Sequence, residues 1–258
     1  MLPQQVVKVL LKLVQAVQSG EGVEEYISCD SYGLVPSLET MVHGQGERCI
    51  AADPVSLEDL PTLLIAFRHR AARLLVLVAQ QINRDVSTGK PMQQAWNNAL
   101  VAMAKTSKAY SLFLVLKNFC EGIREEQSNG ALLGADEIQI LVDLAKLFAL
   151  YWMEKDIGEF LQDGFLTPKQ ASWVPPLVLQ YLDAIRPNAV ALVDARDISD
   201  FRLKSELGRY DGDVYPHIMK AAEKDPLNAA DPGPAYEPAL KRLIAGGVGA
   251  YSGTTSRL

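Results

Sequence analysis

The sequence predicts an all-α protein built as a helical bundle, and three observations carry that expectation. Apolar residues recur at helical spacing through most of the chain as far as Ala195. Two strong helix-start signals, at Ser56 and at Thr167-Pro168, punctuate that run. No repeat of fixed period is present. With 48% apolar residues in 258 positions, a sizeable core is available and wholesale disorder is not expected.

The first element runs from about Pro3 to Gln18, with Lys8 and Lys12 interrupting its apolar residues, and Ser19-Gly20 stops it. It reads as an amphipathic helix and not as a cleaved leader, because no small-residue cleavage site follows. Glu21 to Val55 shows no sustained period and is rich in Gly, Pro and Ser, so a long connection with turns or short strands is expected there. Ser56-Leu57-Glu58-Asp59 then supplies an N-cap with acidic residues where the helix dipole favours them. Leu60, Leu64, Phe67, Ala71, Leu74, Val78 and Ile82 share one face of the helix that follows, and Ser87-Thr88-Gly89 ends it.

Pro91 opens a second long helix, through Trp96, Leu100, Met103, Tyr110 and Leu114 to about Glu126. A third starts near Ala135 and carries Ile138, Leu141, Ala145, Phe148 and Trp152. Short loops between these three predict antiparallel packing. Thr167-Pro168 initiates a further helix, and Pro175-Pro176 is expected to interrupt it, since two prolines remove two donors. Helix resumes from Pro176 to Ile185 and from Asn188 to Ala195. After Asp225-Pro226 the chain turns loop-like, and Ala245-Gly246-Gly247-Val248-Gly249 opens a flexible tail.

The net charge of −6 argues against a dedicated nucleic-acid binder, whose phosphate contacts need excess Lys and Arg. The longest apolar runs, such as Leu74 to Ala79, fall far short of the roughly 20 residues of a bilayer helix. Cys29, Cys49 and Cys120 are widely spaced and form no CxxC, so reduced structural thiols are expected, with no metal site. Arg68, His69, Arg70 and Arg73 form a basic cluster that invites a phosphate. At this spacing they point to several sides of a helix, and solvation or pairing with bundle carboxylates is the plainer reading. Asp211 and Asp213 flank Gly212, too few oxygens for a calcium loop. A turn closed by Asp211-Gly212 after a helix ending at Gly208, with Tyr210 and Tyr215 packed across it, is expected. His43 and His217 have no triad or metal partners in sequence, and His43-Gly44-Gln45-Gly46 is too short for a phosphate loop.

The last three residues, Ser256-Arg257-Leu258, read as a peroxisomal targeting tripeptide of the Ser-Lys-Leu class with Arg in the cationic place. Ahead of them, Ala189-Val190-Ala191-Leu192-Val193-Asp194-Ala195, Leu207 to Tyr215 and Lys224-Asp225-Pro226-Leu227-Asn228 closely resemble the C-terminal domain of peroxisomal acyl-CoA oxidases. Arg70-Ala71-Ala72-Arg73-Leu74, Ala95-Trp96-Asn97 and Gly158-Glu159-Phe160-Leu161 add to the resemblance, which spans about Leu57 to Leu243. Leu2 to Lys12 looks like the helix that begins just after the family's catalytic glutamate. That glutamate and the flavin-binding β-domain would then fall before Met1.

The resemblance implies four segments. Residues 1–20 are a remnant helix of the preceding helical domain, 21–55 a connection, 56–245 the C-terminal helical domain, and 246–258 a flexible tail with the targeting tripeptide. For the intact enzyme it implies fatty acyl-CoA as substrate, FAD as cofactor and O2 as oxidant, giving trans-2-enoyl-CoA and hydrogen peroxide. It assigns no catalytic, cofactor or metal residue to this chain, only Ser256, Arg257 and Leu258 as the address read by the import receptor. The implied partners are the rest of the oxidase subunit or a second subunit of a homodimer. A free-standing, non-catalytic peroxisomal interaction protein that associates with full-length oxidases is the other reading. A first helix cut from its neighbours should expose an apolar face and favour self-association.

Overall fold

The computed structural model describes residues 3–20, 22–23, 30–42, 44, 46–129, 132–229, 236, 240–241 and 244. Among them the fold is all-α, without a strand. The chain divides into two compact units, Met1–Val190 and Ala191–Leu258.

The first unit is a bundle around two long helices, α4 (Leu60–Ser87) and α6 (Leu100–Asn129), which share its most extensive interface. Phe67, Ala71, Leu75 and Val78 of α4 and Met103, Phe113 and Leu116 of α6 are buried there. α4 ends as the sequence predicts. Gly89 takes φ +87°, its N–H donates to Val86 O (2.9 Å), and Lys90 N–H donates to Asp85 O (3.1 Å), the paired closure that a left-handed glycine permits. The start differs. Asp53 and Ser56 form a reciprocal capping box around the single-turn α3 (Pro54–Leu57), and Asp59 caps α4 without a side-chain hydrogen bond. Asp53-Pro54 combines a capping acceptor with a preset φ, and it outcompetes Ser56 as a start.

Three further expectations are corrected. The helix opened by Pro91 is broken: α5 (Met92–Asn98) and α6 meet at Ala99 with a bend of 60°. Asn98 explains the break, because its carbonyl accepts from Gln81 Nε2 (3.1 Å) and its amide donates to Asp85 (2.8 Å), anchoring α5 to α4. The tandem prolines, in contrast, do not interrupt α9 (Pro168–Ile185), which runs through them. Pro175 and Pro176 face solvent, where water can take the carbonyls they leave unbonded. Two interior prolines cost about 6 kcal/mol, and burying Val174, Leu177, Val178 and Tyr181, about 6–12 kcal/mol together, offsets that. Between residues 21 and 55 the sequence hides a 3-10 turn (Asp30–Leu34) and α2 (Val35–Val42), which bury Leu34, Val35 and Leu38.

Helix α1 (Pro3–Ser19) also departs from expectation. Val7, Leu10, Leu13 and Val14 are all but inaccessible, covered by α2, α4 and α6 of the same chain, so no open apolar stripe remains along them. Helix α7 (Ala135–Lys155) packs mainly on α9, and places Asp136 and Glu137 in its first turn and Lys155 in its last, as the macrodipole favours. The short α8 (Ile157–Leu161) leads to Thr167, whose capping box with Gln170 starts α9 as predicted.

The second unit starts within a six-residue helix, α10 (Ala189–Asp194). It continues with α11 (Asp200–Leu203), a 3-10 turn (Glu206–Gly208), α12 (Val214–Lys224) and α13 (Pro226–Ala229). No helix is long and apolar enough alone to cross a membrane among the described residues.

Phe67 is the central test of the bundle, being fully buried with its ring 5.7 Å from that of Phe160. Phe67→Ala should lower the unfolding free energy by about 3–5 kcal/mol in urea titrations followed by circular dichroism.

Candidate functional site: the charged seam along α4

Arg68, His69, Arg70 and Arg73 occupy one and a half turns of α4, and the bundle brings four carboxylates to them. Glu47 arrives from the segment before α3, Asp156 and Glu159 from the start of α8, and Asp163 from the loop after it. The pairing predicted for this cluster is therefore observed, whereas solvation is not: His69 and Arg70 are almost wholly buried.

Arg70 donates from Nε to Glu159 (2.6 Å) and from Nη2 to Asp156 (2.7 Å). Its Nη1 has no hydrogen-bond partner among the described residues, and the guanidinium sits 5.4 Å from the centre of the Phe160 ring, a partial electrostatic substitute. From α6, Lys105 reaches Glu159 (2.6 Å) and Lys108 reaches Asp156 (3.0 Å) while resting on Trp152. His69 lies between two carboxylates, with Nδ1 3.1 Å from Glu47 and Nε2 2.7 Å from Asp163, and its ring stacks on Phe165 at 4.5 Å. Arg73 donates to the Glu159 carbonyl (2.8 Å) and to Gln162 (3.0 Å).

Glu47 also accepts from Ser37 (2.8 Å) and from Arg68 (3.2 Å), so one carboxylate ties α2, α4 and the extended segment together. That segment is pinned a second time: Cys49 N–H donates to Phe165 O (2.8 Å), and Gln170 Nε2 donates to the carbonyls of Cys49 (3.0 Å) and Ala51 (2.9 Å). Sequence reasoning missed Glu47 and Gln170. The contacts that make them matter, Glu47 with Arg68 and His69 and Gln170 with Cys49 and Ala51, span 21 to 121 residues, and no local pattern signals those.

Burial works against the ionised form of Glu47, but His69, Ser37 and Arg68 outweigh it and hold the carboxyl below its ordinary range. Asp156 follows the same balance, with Lys108 and Arg70 overcoming burial. Every carboxylate of the seam is engaged by a cation, so none stands free as a base. Among the described residues no three metal-ligating side chains converge.

Asp211 is taken by Arg209, through contacts of 3.1 and 2.6 Å, and by the N–H of Asp213 (3.0 Å), so it has no metal-like geometry. The Arg209 side-chain hydrogen bond, followed by the Asp213 N–H, holds its carboxyl at about 2. Gly208 closes the 3-10 turn and Gly212 takes φ +71°, as a turn requires. Tyr210 and Tyr215 are 84% and 83% exposed and do not pack across it. His217 lies 3.9 Å from Glu206 and 3.7 Å from Asp211. Cys49 and Cys120 are free, and burial pushes both thiols up. His43, Cys29 and the tripeptide Ser256, Arg257 and Leu258 lie outside the described residues.

The depressed carboxyls of Glu47 and Asp156 contribute stability above their ordinary values of 4.5 and 3.8, and that stability is lost as pH falls through their lower folded values. The urea midpoint should therefore drop as pH falls below about 4.5. Glu47→Gln with Asp156→Asn should be less stable at neutral pH and show a flatter acid limb.

The acyl-CoA oxidase family model matches residues 59–245. Peroxisomal acyl-coenzyme A oxidase 1 of Rattus norvegicus is 33% identical over 239 residues, which cover 93% of this chain and 34% of the relative. The putative peroxisomal acyl-coenzyme A oxidase 1.2 of Arabidopsis thaliana is 34% identical over 182 residues. Among solved structures, Arabidopsis thaliana acyl-CoA oxidase 1 superposes with a TM-score of 0.69 at 29% identity, covering 94% of this chain and 34% of that one. A Caenorhabditis elegans acyl-CoA oxidase-1 complexed with FAD and ATP gives a TM-score of 0.66 at 28% identity. The chain thus spans about a third of the length of the relatives it matches. On the extent of that match, this chain belongs to the acyl-CoA oxidase family.

Proposed function

We propose that this chain is the helical, non-catalytic portion of a peroxisomal acyl-CoA oxidase, packing against the rest of the subunit and supporting its dimer. The single observation that carries the reading is the extent of the match: nearly all of this chain aligns with a third of oxidase subunits. The complete enzyme would oxidise a fatty acyl-CoA with O2 to a trans-2-enoyl-CoA and hydrogen peroxide, a step of fatty acid β-oxidation. The relatives' peroxisomal names and the terminal Ser256-Arg257-Leu258 support the same compartment.

The seam supports a structural role. A general base must reach the proton it removes, and the carboxylates of the seam are held by Arg68, His69, Arg70, Lys105 and Lys108. The same commitment leaves Arg68, Arg70 and Arg73 poorly suited to a flavin pyrophosphate. The described residues therefore do not fit a complete FAD site, and no oxidation step is assigned to them.

Two measurements test the proposal. The purified chain should show no flavin absorbance and release no peroxide from a fatty acyl-CoA; bound flavin with turnover would sink the non-catalytic assignment. A fluorescent protein fused to its amino terminus should enter peroxisomes, and deleting Ser256 to Leu258 should leave it in the cytosol. Peroxisomal import that survives the deletion would remove the role given to the tripeptide.

A further inference from the structure

The second unit folds without a core among its described residues. Helices α10, α11 and α12 and the turn Glu206–Gly208 bury no side chain. Yet α12 is strongly amphipathic: Tyr215, Ile218, Met219 and Ala222 follow one another at i, i+3, i+4 and i+7 and line one face. Met219 is 62% exposed on that face, beside Tyr215. Tyr210, in the loop before α12, is a second tyrosine with 84% exposure. α12 packs on the Glu206–Gly208 turn and on α13, and these leave Tyr215 and Met219 largely exposed, a face open to a partner.

The segment leading into that face is fixed in advance. Arg209 grips Asp211 with two hydrogen bonds, Asp213 N–H donates back to Asp211, and Tyr210 N–H donates to Asp200 (3.2 Å). Tyr210 and Tyr215 are thus presented on an ordered turn, which lowers the entropy lost on docking. Tyrosine and methionine are residue types that interface cores enrich.

The superposition on Arabidopsis thaliana acyl-CoA oxidase 1 covers 94% of this chain, so it extends well into the second unit, while two thirds of the relative's length lies outside it. We infer that Tyr210, Tyr215, Ile218 and Met219 form the docking face for the part of an acyl-CoA oxidase subunit that lies outside the matched third. The inference rests on the proposed function above and names the surface through which it operates.

The test is capture on co-expression. The full chain is expressed with an affinity-tagged segment of Arabidopsis thaliana acyl-CoA oxidase 1 comprising the two thirds outside the match. Wild type and Lys220→Glu, on the polar side of α12, should co-purify with it. Tyr215→Asp with Met219→Asp should reduce capture about tenfold or more. Circular dichroism of each chain alone checks that helical content is kept. A photo-crosslinking residue at Tyr215 gives a second readout that needs no destabilising charge, and should label the tagged segment. Failure of wild type to be captured would overturn the oxidase-portion reading itself. Capture of wild type and double variant alike, with no label from position 215, would overturn only the face. Self-association of the chain alone, abolished by the double variant in sedimentation, would make a second copy the occupant and also overturn it.

Discussion

Arg70 is a permanent cation placed in the middle of a helical bundle at about 1% exposure. A guanidinium does not neutralise itself in proteins, so its burial is tolerable only if anions come with it. Glu159 and Asp156 do so at 2.6 and 2.7 Å, and they bring α8 against α4 in one orientation. Removing one partner of such a pair typically costs about 3–5 kcal/mol, because the other is left charged and dry. The arrangement of α4, α6 and α8 follows from that requirement. Lys105 and Lys108 complete it from α6, where their exposed ends are screened and contribute less.

The same logic extends along α4 through His69, whose two ring nitrogens face carboxylates from opposite sides of the chain. Glu47 and Asp163 lie 116 positions apart, and this one ring places both. Gln170 then fastens the extended segment around Cys49 to the start of α9. Polar contacts thus specify the geometry, while the apolar faces of α1, α4, α6, α7 and α9 supply the driving force.

The carboxylates of the seam are paired within their own chain, while Arg70 Nη1 has no hydrogen-bond partner among the described residues, and the chain belongs to the acyl-CoA oxidase family over about a third of its relatives' length. The two units differ in kind. The first encloses a continuous core, whereas the described helices of the second carry their large apolar side chains outward.

What the sequence determined by itself rests on short-range physics. The all-α class, the glycine closure at Gly89, the cap at Thr167 and the helix start near Ala135 all depend on residues within a few positions of one another. Pairing of the Arg68 to Arg73 cluster was legible only as one of two outcomes, beside solvation, because residues at that spacing fall on several sides of a helix. Only the tertiary structure decided who the partners were, since Glu47, Asp156, Glu159 and Asp163 are brought to α4 by chain reversals that no local pattern encodes. It also decided against local rules where burial outweighed them. α9 passes through Pro175-Pro176 because its apolar face is worth more than two lost hydrogen bonds, and α5 breaks from α6 because Asn98 is held by α4. Propensity is a matter of tenths of a kilocalorie to a few kilocalories per residue, and packing a whole helix face exceeds it.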